Sequence, residues 1–299
     1  MSELPPVLIN SMPKSGTHLL TLVADLLGYQ DFGRHDALWP KVRDRLGLGT
    51  PVVLAHLRVK RNWKRRLYDL TDNGRQQETI PIDVTLPVQT PVKLAQEWLN
   101  AIPPGHYLSG HLPWTETAAR LVQTVGLKNL MIVRDPRDVL VSFLHFVTRP
   151  QHVLSPDFLS LSPDQRLILA VEGGTGPRSR SPIVGLRQAF QSILAWRREP
   201  EVLIVRFEAL IGERGDGSSA AQRAAARDIA RFLTLQADDG LIDYVCQHAF
   251  DTGAATFRRG KIGAWKDELS PSQINWCTER FAPILDDLSI LADADAPEG

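Results

Sequence analysis

Three observations predict an α/β protein with three layers: a central, mostly parallel sheet flanked on both faces by helices. Short aliphatic runs recur at Val7–Ile9, Val52–Leu54, Tyr107–Leu108, Leu130–Val133 and Val202–Val205. Several of them lead into stretches of helical periodicity, and strands that alternate with helices wind into a parallel sheet. Hydrophobic residues make up 43% of the 299, enough for a sizeable core. The breaks in the pattern look like insertions, at residues 60–92 and 148–185, so residues 1–299 are expected to form a single domain.

The first strand, Val7–Ile9, runs through Asn10-Ser11-Met12-Pro13-Lys14-Ser15-Gly16 into a helix over Thr17–Leu27, whose Leu19, Leu20, Val23, Leu26 and Leu27 share one face. A loop that ends at a helix N-terminus presents backbone N–H groups and the positive end of the helix dipole to an anion. Gly16 lets the backbone come close, Lys14 adds a cation, and Ser15, Thr17 and His18 add side-chain donors. This makes the expected architecture P-loop-type, although the Walker A pattern is incomplete: the lysine precedes the glycine and the loop is shorter. Alone, the segment also fits a plain strand-to-helix turn with an exposed lysine.

Residues 60–92 mix basic, polar and proline positions, and residues 148–185 include the run Glu172-Gly173-Gly174-Thr175-Gly176-Pro177. Loops of such length are usually lids or disordered segments. Between them, Tyr107-Leu108-Ser109-Gly110-His111-Leu112-Pro113 ends a short strand with a histidine, at the edge where ligands of parallel sheets bind. A histidine there is suited to accept a proton near neutral pH, and by itself it fits a structural role as well.

The strand Leu130–Val133 delivers Arg134 to the start of a helix that carries Ser142 about two turns on. Arginine offers a planar fork for a phosphate and serine a hydroxyl. Asp135 and Asp138 fit the first helical turn as caps. A salt bridge across the sheet edge is the plain alternative for Arg134. Val139–Phe146, Ala220–Phe232 and Pro271–Leu285 are also expected to be helical, and Ala292–Gly299 to fray.

At this point the chain resembles the cytosolic-type sulfotransferases that use 3′-phosphoadenosine 5′-phosphosulfate (PAPS). Pro13–Thr17 match their first loop, Pro-Lys-Ser-Gly-Thr. Arg134, Asp138, Val139 and Ser142 match their second motif. Phe257-Arg258-Arg259-Gly260-Lys261-Ile262-Gly263-Ala264-Trp265-Lys266 is similar to their late Arg-Lys-Gly and Gly-x-Trp-Lys elements. The resemblance implies that Lys14, Ser15, Gly16, Thr17 and His18 hold the 5′-phosphosulfate, with Lys14 near the bridging oxygen. It implies that Arg134 and Ser142 bind the 3′-phosphate, that Arg258, Arg259 and Gly260 close over it, and that Phe207 lies near the adenine. It implies His111 as the catalytic base. The chain departs from the family pattern at Leu19, where relatives carry tryptophan, and at Ser109 and Gly110, where many carry lysine.

The implied reaction is in-line transfer of a sulfuryl group to a hydroxyl or amine, without a metal, leaving adenosine 3′,5′-bisphosphate (PAP). The rivals are a P-loop kinase or nucleotide hydrolase, which would take ATP with Mg²⁺, and a non-catalytic nucleotide-binding protein. The balance of 34 basic and 34 acidic residues argues against nucleic-acid binding. Cys246 and Cys277 lie far apart without metal-ligand spacing, as expected of thiols in a reducing compartment. No apolar run approaches the ~20 residues of a membrane span, and no signal sequence opens the chain, so a cytoplasmic location is expected. The expected acceptor is a small, lipid-like or secondary-metabolite molecule, with a carrier-bound one as an option and the oligomeric state open. Trp39, Trp63, Tyr68, Trp98, Trp114 and the stretch Thr148–Gly185 are candidates for an apolar acceptor cleft, and Arg58, Lys60, Arg61, Lys64, Arg65 and Arg66 for a basic patch.

Overall fold

A computed structural model of the chain describes residues 4–32, 78–150, 152–250 and 260–294. The expected strand Val52–Leu54, the basic patch at residues 58–66, Trp39, Trp63, Tyr68, Arg258 and Arg259 lie outside these. Among the described residues, the central sheet has five strands: β1 (Val7–Ser11), β2 (Gln30–Asp31), β5 (His106–Gly110), β6 (Lys128–Val133) and β9 (Val202–Arg206). They lie in the order β2-β5-β1-β6-β9, every pair parallel.

Period-two alternation divides the strands between two cores. Val7 and Ile9 of β1, with Leu130 and Ile132 of β6, point to one face. There they pack on α1 (Thr17–Leu26), α9 (Ser219–Phe232) and α10 (Asp239–His248). Leu8, Met131 and Val133 point to the other face. They meet α3 (Glu116–Val125), α4 (Pro136–Val147), α6 (Pro163–Glu172), α7 (Leu186–Leu194) and α12 (Pro271–Ala294). Strands covered on both sides read as unbroken apolar runs, the pattern seen in the sequence. The three-layer expectation and the helices expected over 17–27, 139–146 and 220–232 match; α12 runs past Leu285, with Pro283 inside it.

In their described parts, the two stretches expected to be loops carry regular structure instead. Residues 78–92 form an antiparallel hairpin, β3 (Thr79–Ile82) with β4 (Val88–Pro91), that buries Ile80 and Ile82. Its turn closes on the Asp83 carboxylate, which accepts the Thr85 N–H at 2.7 Å and the Leu86 N–H at 3.0 Å. In the second stretch, α5 (Ser155–Leu159) and α6 precede a hairpin of β7 (Gly173–Thr175) and β8 (Pro182–Val184). The α6 start is fixed by a capping box between Ser162 and Gln165. The two hairpins touch, because the Val184 N–H donates to the Thr85 carbonyl at 3.1 Å.

Asp157 holds the second hairpin. Its buried Oδ1 accepts the Arg178 N–H at 2.7 Å and the Ser179 N–H at 2.9 Å. Gly176 permits this approach, since a Cβ there would stand 2.8 Å from the carboxylate. Burial pushes the Asp157 carboxyl upward, but those N–H donors and Arg178 outweigh it and hold it below its ordinary value. Asp157→Ala should lower the unfolding free energy in urea by about 1–3 kcal/mol. A carboxyl with a depressed folded-state pKa stabilises above its unfolded value and loses that contribution as pH falls through the folded one. The gap between parent and variant should therefore be full at neutral pH and narrow below about pH 4; denaturation curves at both pH values check this.

Candidate active site

The register of the sheet sets four strand ends side by side. Asn10 pairs with Gly110, Ser11 with Ile132, and Val133 with Arg206. The residues just beyond these ends are the Met12–Gly16 loop, His111, Arg134 and Phe207. The connection leaving β1 runs to the β2 edge and that leaving its neighbour β6 runs the other way to β9, so the gap between them is a topological switch point.

The loop after β1 is tightly wound. Lys14 adopts φ 72° and Gly16 φ 113°, both in the left-handed region. A side chain at Gly16 is excluded twice over, by this backbone and by Phe207, whose Cδ2 would lie 2.6 Å from a Cβ. The Ser15 hydroxyl, expected to add a donor toward an anion, is fully buried. It faces the Met12 carbonyl at 2.8 Å and the Ile132 carbonyl at 3.0 Å, closing the loop and fastening it to β6. Lys14 Nζ lies 4.7 Å from the centre of the Phe146 ring on α4. Thr17 opens α1, and the exposed His18 follows it.

His111 stands half-buried directly past β5. Its Nδ1 is 2.8 Å from the Ser11 carbonyl oxygen, which can only accept, so Nδ1 carries a proton and the lone pair of the neutral ring is on Nε2. The same Nδ1 lies 3.3 Å from Ser11 Oγ, which in turn lies 2.7 Å from Thr17 Oγ1. With the imidazole proton directed at Ser11, the two hydroxyls share the remaining hydrogen bond, in which either can donate. A chain of polar groups thus joins the histidine to the first residue of α1.

Arg134 follows β6 and is nearly buried. Its Nη2 donates to the Lys261 carbonyl at 2.5 Å and lies 3.3 Å from Asp138 Oδ2, and its guanidinium stacks 4.2 Å over the Phe207 ring. Its Nε is buried and finds no partner among the described residues. Burial pushes this guanidinium below its ordinary pKa, and Asp138, Glu208 and Asp135 pull it back. Glu208 in turn accepts the Asp135 N–H at 2.9 Å. Burial raises its carboxyl above the usual range, against that N–H, Arg206 and Arg134.

Asp135 caps α4 as expected, accepting the Arg137 N–H at 2.8 Å. Asp138 sits in the first turn but does not serve as a cap. Its buried carboxylate accepts the Gly263 N–H at 2.9 Å and the Trp265 N–H at 3.2 Å, tying the late Gly260–Trp265 segment to the arginine. The same segment is clamped by Arg137, whose guanidinium lies 4.0 Å over the Trp265 ring. Ser142, half-buried, lies one turn beyond Asp138 on the same helix face. Gly260 adopts φ 59° at the start of the segment. All three sequence motifs therefore converge on one sheet edge, in their described parts.

A family model described as the sulfotransferase domain matches residues 4–289. The chain belongs to the sulfotransferase family. Sulfotransferase 6B1 of Danio rerio is 24% identical over 202 residues, an alignment that spans 62% of this chain and 61% of that relative's length. Among solved structures, mouse sulfotransferase SULT7A1 complexed with PAP superposes with a TM-score of 0.56 at 17% identity, covering 93% of this chain and 84% of that one. Retinol dehydratase in complex with androsterone and the inactive cofactor PAP gives 0.52 at 16% identity, over 95% and 80%. These likenesses establish that the chain shares their fold.

Three residues at this edge went unrecognised in the sequence: Ser11, Glu208 and Asn10, whose amide pairs with the Leu112 backbone. The available signal was a polar pair, Asn10-Ser11, closing an otherwise apolar strand. Trp98 and Trp114, considered for an acceptor cleft, pack against the main core, and the Trp114 indole donates to Glu199 at 2.8 Å. Among the described residues no helix is long and apolar enough to cross a membrane, and no group of three or more His, Cys, Asp or Glu is placed to hold a metal.

Asp138→Ala should release the Gly260–Trp265 segment. Hydrogen bonds to a charged group contribute about 1.5–3 kcal/mol, so amide exchange at Gly263 and Trp265 should quicken by about tenfold or more. Hydrogen–deuterium exchange followed by mass spectrometry reads this directly.

Proposed function

We propose that the chain transfers a sulfuryl group from PAPS to a hydroxyl or amine of a small-molecule, lipid-like or secondary-metabolite acceptor, with His111 as general base. The observation that carries this reading is the His111–Ser11–Thr17 chain, which sets a histidine held through Nδ1 beside a helix start suited to an anion. Two features of the site fit the donor. The buried Nε–H of Arg134 lacks a partner among the described residues, as a donor reserved for a phosphate oxygen would. The left-handed turn at Gly16, which Phe207 packs against, brings the N–H groups that open α1 to the strand ends. The relatives solved with PAP, and with androsterone alongside it, accord with this choice of donor and of acceptor class.

Bound PAPS supplies the sulfuryl group. Lys14 and the N–H groups opening α1 hold negative charge at the 5′ end, where fixed donors stabilise developing charge without having to reorganise. Arg134, held flat by Phe207, and Ser142 receive the 3′-phosphate; Gly260, with Arg258 and Arg259, borders it. Phe207 is also the aromatic residue proposed to lie near the adenine. His111 accepts the acceptor's proton at Nε2 while Nδ1–H stays on the Ser11 carbonyl, so the imidazolium that forms keeps a partner for its second proton. A cytoplasmic location is part of the same reading.

PAP should raise the melting temperature where ATP with Mg²⁺ does not; selective stabilisation by ATP would sink the reading in favour of a P-loop kinase or hydrolase. Replacing His111 with alanine should cut kcat by about 10²–10⁴-fold, the range for a positioned proton acceptor, and leave PAP affinity unchanged. Arg134→Ala should do the reverse and weaken PAP binding by at least about tenfold, from the loss of a charge-assisted pair; calorimetric titration measures it.

A further inference from the structure

We infer that Asn10 is a positioning residue for His111: it fixes the backbone that carries the imidazole past the end of the sheet, and with it the tautomer in which Nε2 is the basic nitrogen. This rests on the reading of His111 as base. The β1–β5 ladder ends at Asn10 and Gly110, so no strand pairing holds the next two residues of the β5 segment. The Asn10 side chain takes over from the ladder. Its Nδ2–H donates to the Leu112 carbonyl at 3.0 Å and its Oδ1 accepts the Leu112 N–H at 2.8 Å, both backbone groups of the residue after His111. The same Oδ1 accepts the Ser11 N–H at 3.1 Å, fixing the peptide plane before the residue whose carbonyl receives the imidazole Nδ1–H. One amide therefore grips His111 from both sides, through Leu112 and through Ser11. The Leu112 carbonyl is further held by the Trp196 indole N–H at 2.9 Å.

The choice of residue is informative. Asn10 is fully buried, on the face that Leu8 and Met12 fill with apolar side chains. An apolar residue would satisfy the core there, and a buried amide is tolerated only when its polar atoms are paired. Asparagine alone brings a donor and an acceptor in one plane at this reach: aspartate offers two acceptors, and leucine offers neither. Both polar atoms of the amide are paired, and their bonds among the described residues go to the segments flanking the histidine.

Asn10→Asp and Asn10→Leu test the inference, with His111→Ala measured beside them. Asn10→Asp keeps the shape and, when ionised, sets an oxygen against the Leu112 carbonyl; a series at rising pH separates this form from the protonated one, which can still donate. Each Asn10 variant should lose about 100-fold in kcat, the scale of a misplaced catalytic group, while PAP affinity and the KM for the donor stay near those of the parent. Nitrogen-15 spectra of histidine-labelled protein give a readout apart from turnover. In the parent, neutral His111 should be the Nδ1–H tautomer, and in the variants the Nε2–H form favoured by free histidine should appear. Parent-like kcat together with a retained Nδ1–H tautomer in Asn10→Asp overturns the inference, as does an Nε2–H tautomer in the parent. Should Asn10→Leu fail to fold, Asn10→Asp and the parent spectrum still decide. Full activity in His111→Ala overturns the base reading itself, while the tautomer signals still report whether Asn10 orients the ring.

Discussion

Everything at the functional edge depends on the register of β1 between β5 and β6. Because side chains alternate along a strand, Ser11 faces the α1 side with Val7 and Ile9, while Asn10 faces the opposite core with Leu8. A slip of one residue would exchange these faces, turning Asn10 toward α1 and Ser11 into the main core. The two cores oppose such a slip with many buried aliphatic contacts. Bulk hydrophobic burial, which is not directional, thereby fixes the position of directional polar groups to within a hydrogen bond.

The electrostatics of the site are local rather than global. The chain as a whole carries equal numbers of acids and bases, yet Arg134 is surrounded by Asp138, Asp135 and Glu208 in a nearly dry setting. A cation buried without partners would be costly. Here the carboxylates keep it charged, and Asp138 uses its remaining lone pairs to hold the segment that arrives from the far end of the chain. The same carboxylate thus serves charge compensation and chain closure.

The repeated aliphatic runs made the α/β architecture legible, since strands buried on both faces need no alternation to be recognised. The three motifs led to Lys14, His111, Arg134 and Ser142, and the structure brings all of them to one sheet edge. What escaped were tasks set by tertiary partners. Ser15 looks like an anion donor in the sequence, but its partner is the Ile132 carbonyl, which only the fold brings near. Asp138 looks like a cap, whereas its donors belong to residues 263 and 265. The glycine-rich stretch after Glu172 reads as a lid because composition is blind to Asp157, the distant carboxylate that pins it. Asn10 reads as the fading end of a strand because its partner, Leu112, is a hundred residues away.

The Nε–H of Arg134, without a partner among the described residues, bears on selectivity. On the proposed reading, a nucleotide with a bare 3′-hydroxyl would fill the rest of the site and still leave this donor buried without a counterpart. An unmet buried donor costs about 1–3 kcal/mol, and more when the group is charged. Rejection of this kind arises from the wrong ligand's deficit rather than from any clash, and it is the same asymmetry that lets sites built around one hydrogen bond refuse close analogues. Abundant cellular nucleotides phosphorylated only at the 5′ end would then be poor competitors, with no steric gate required.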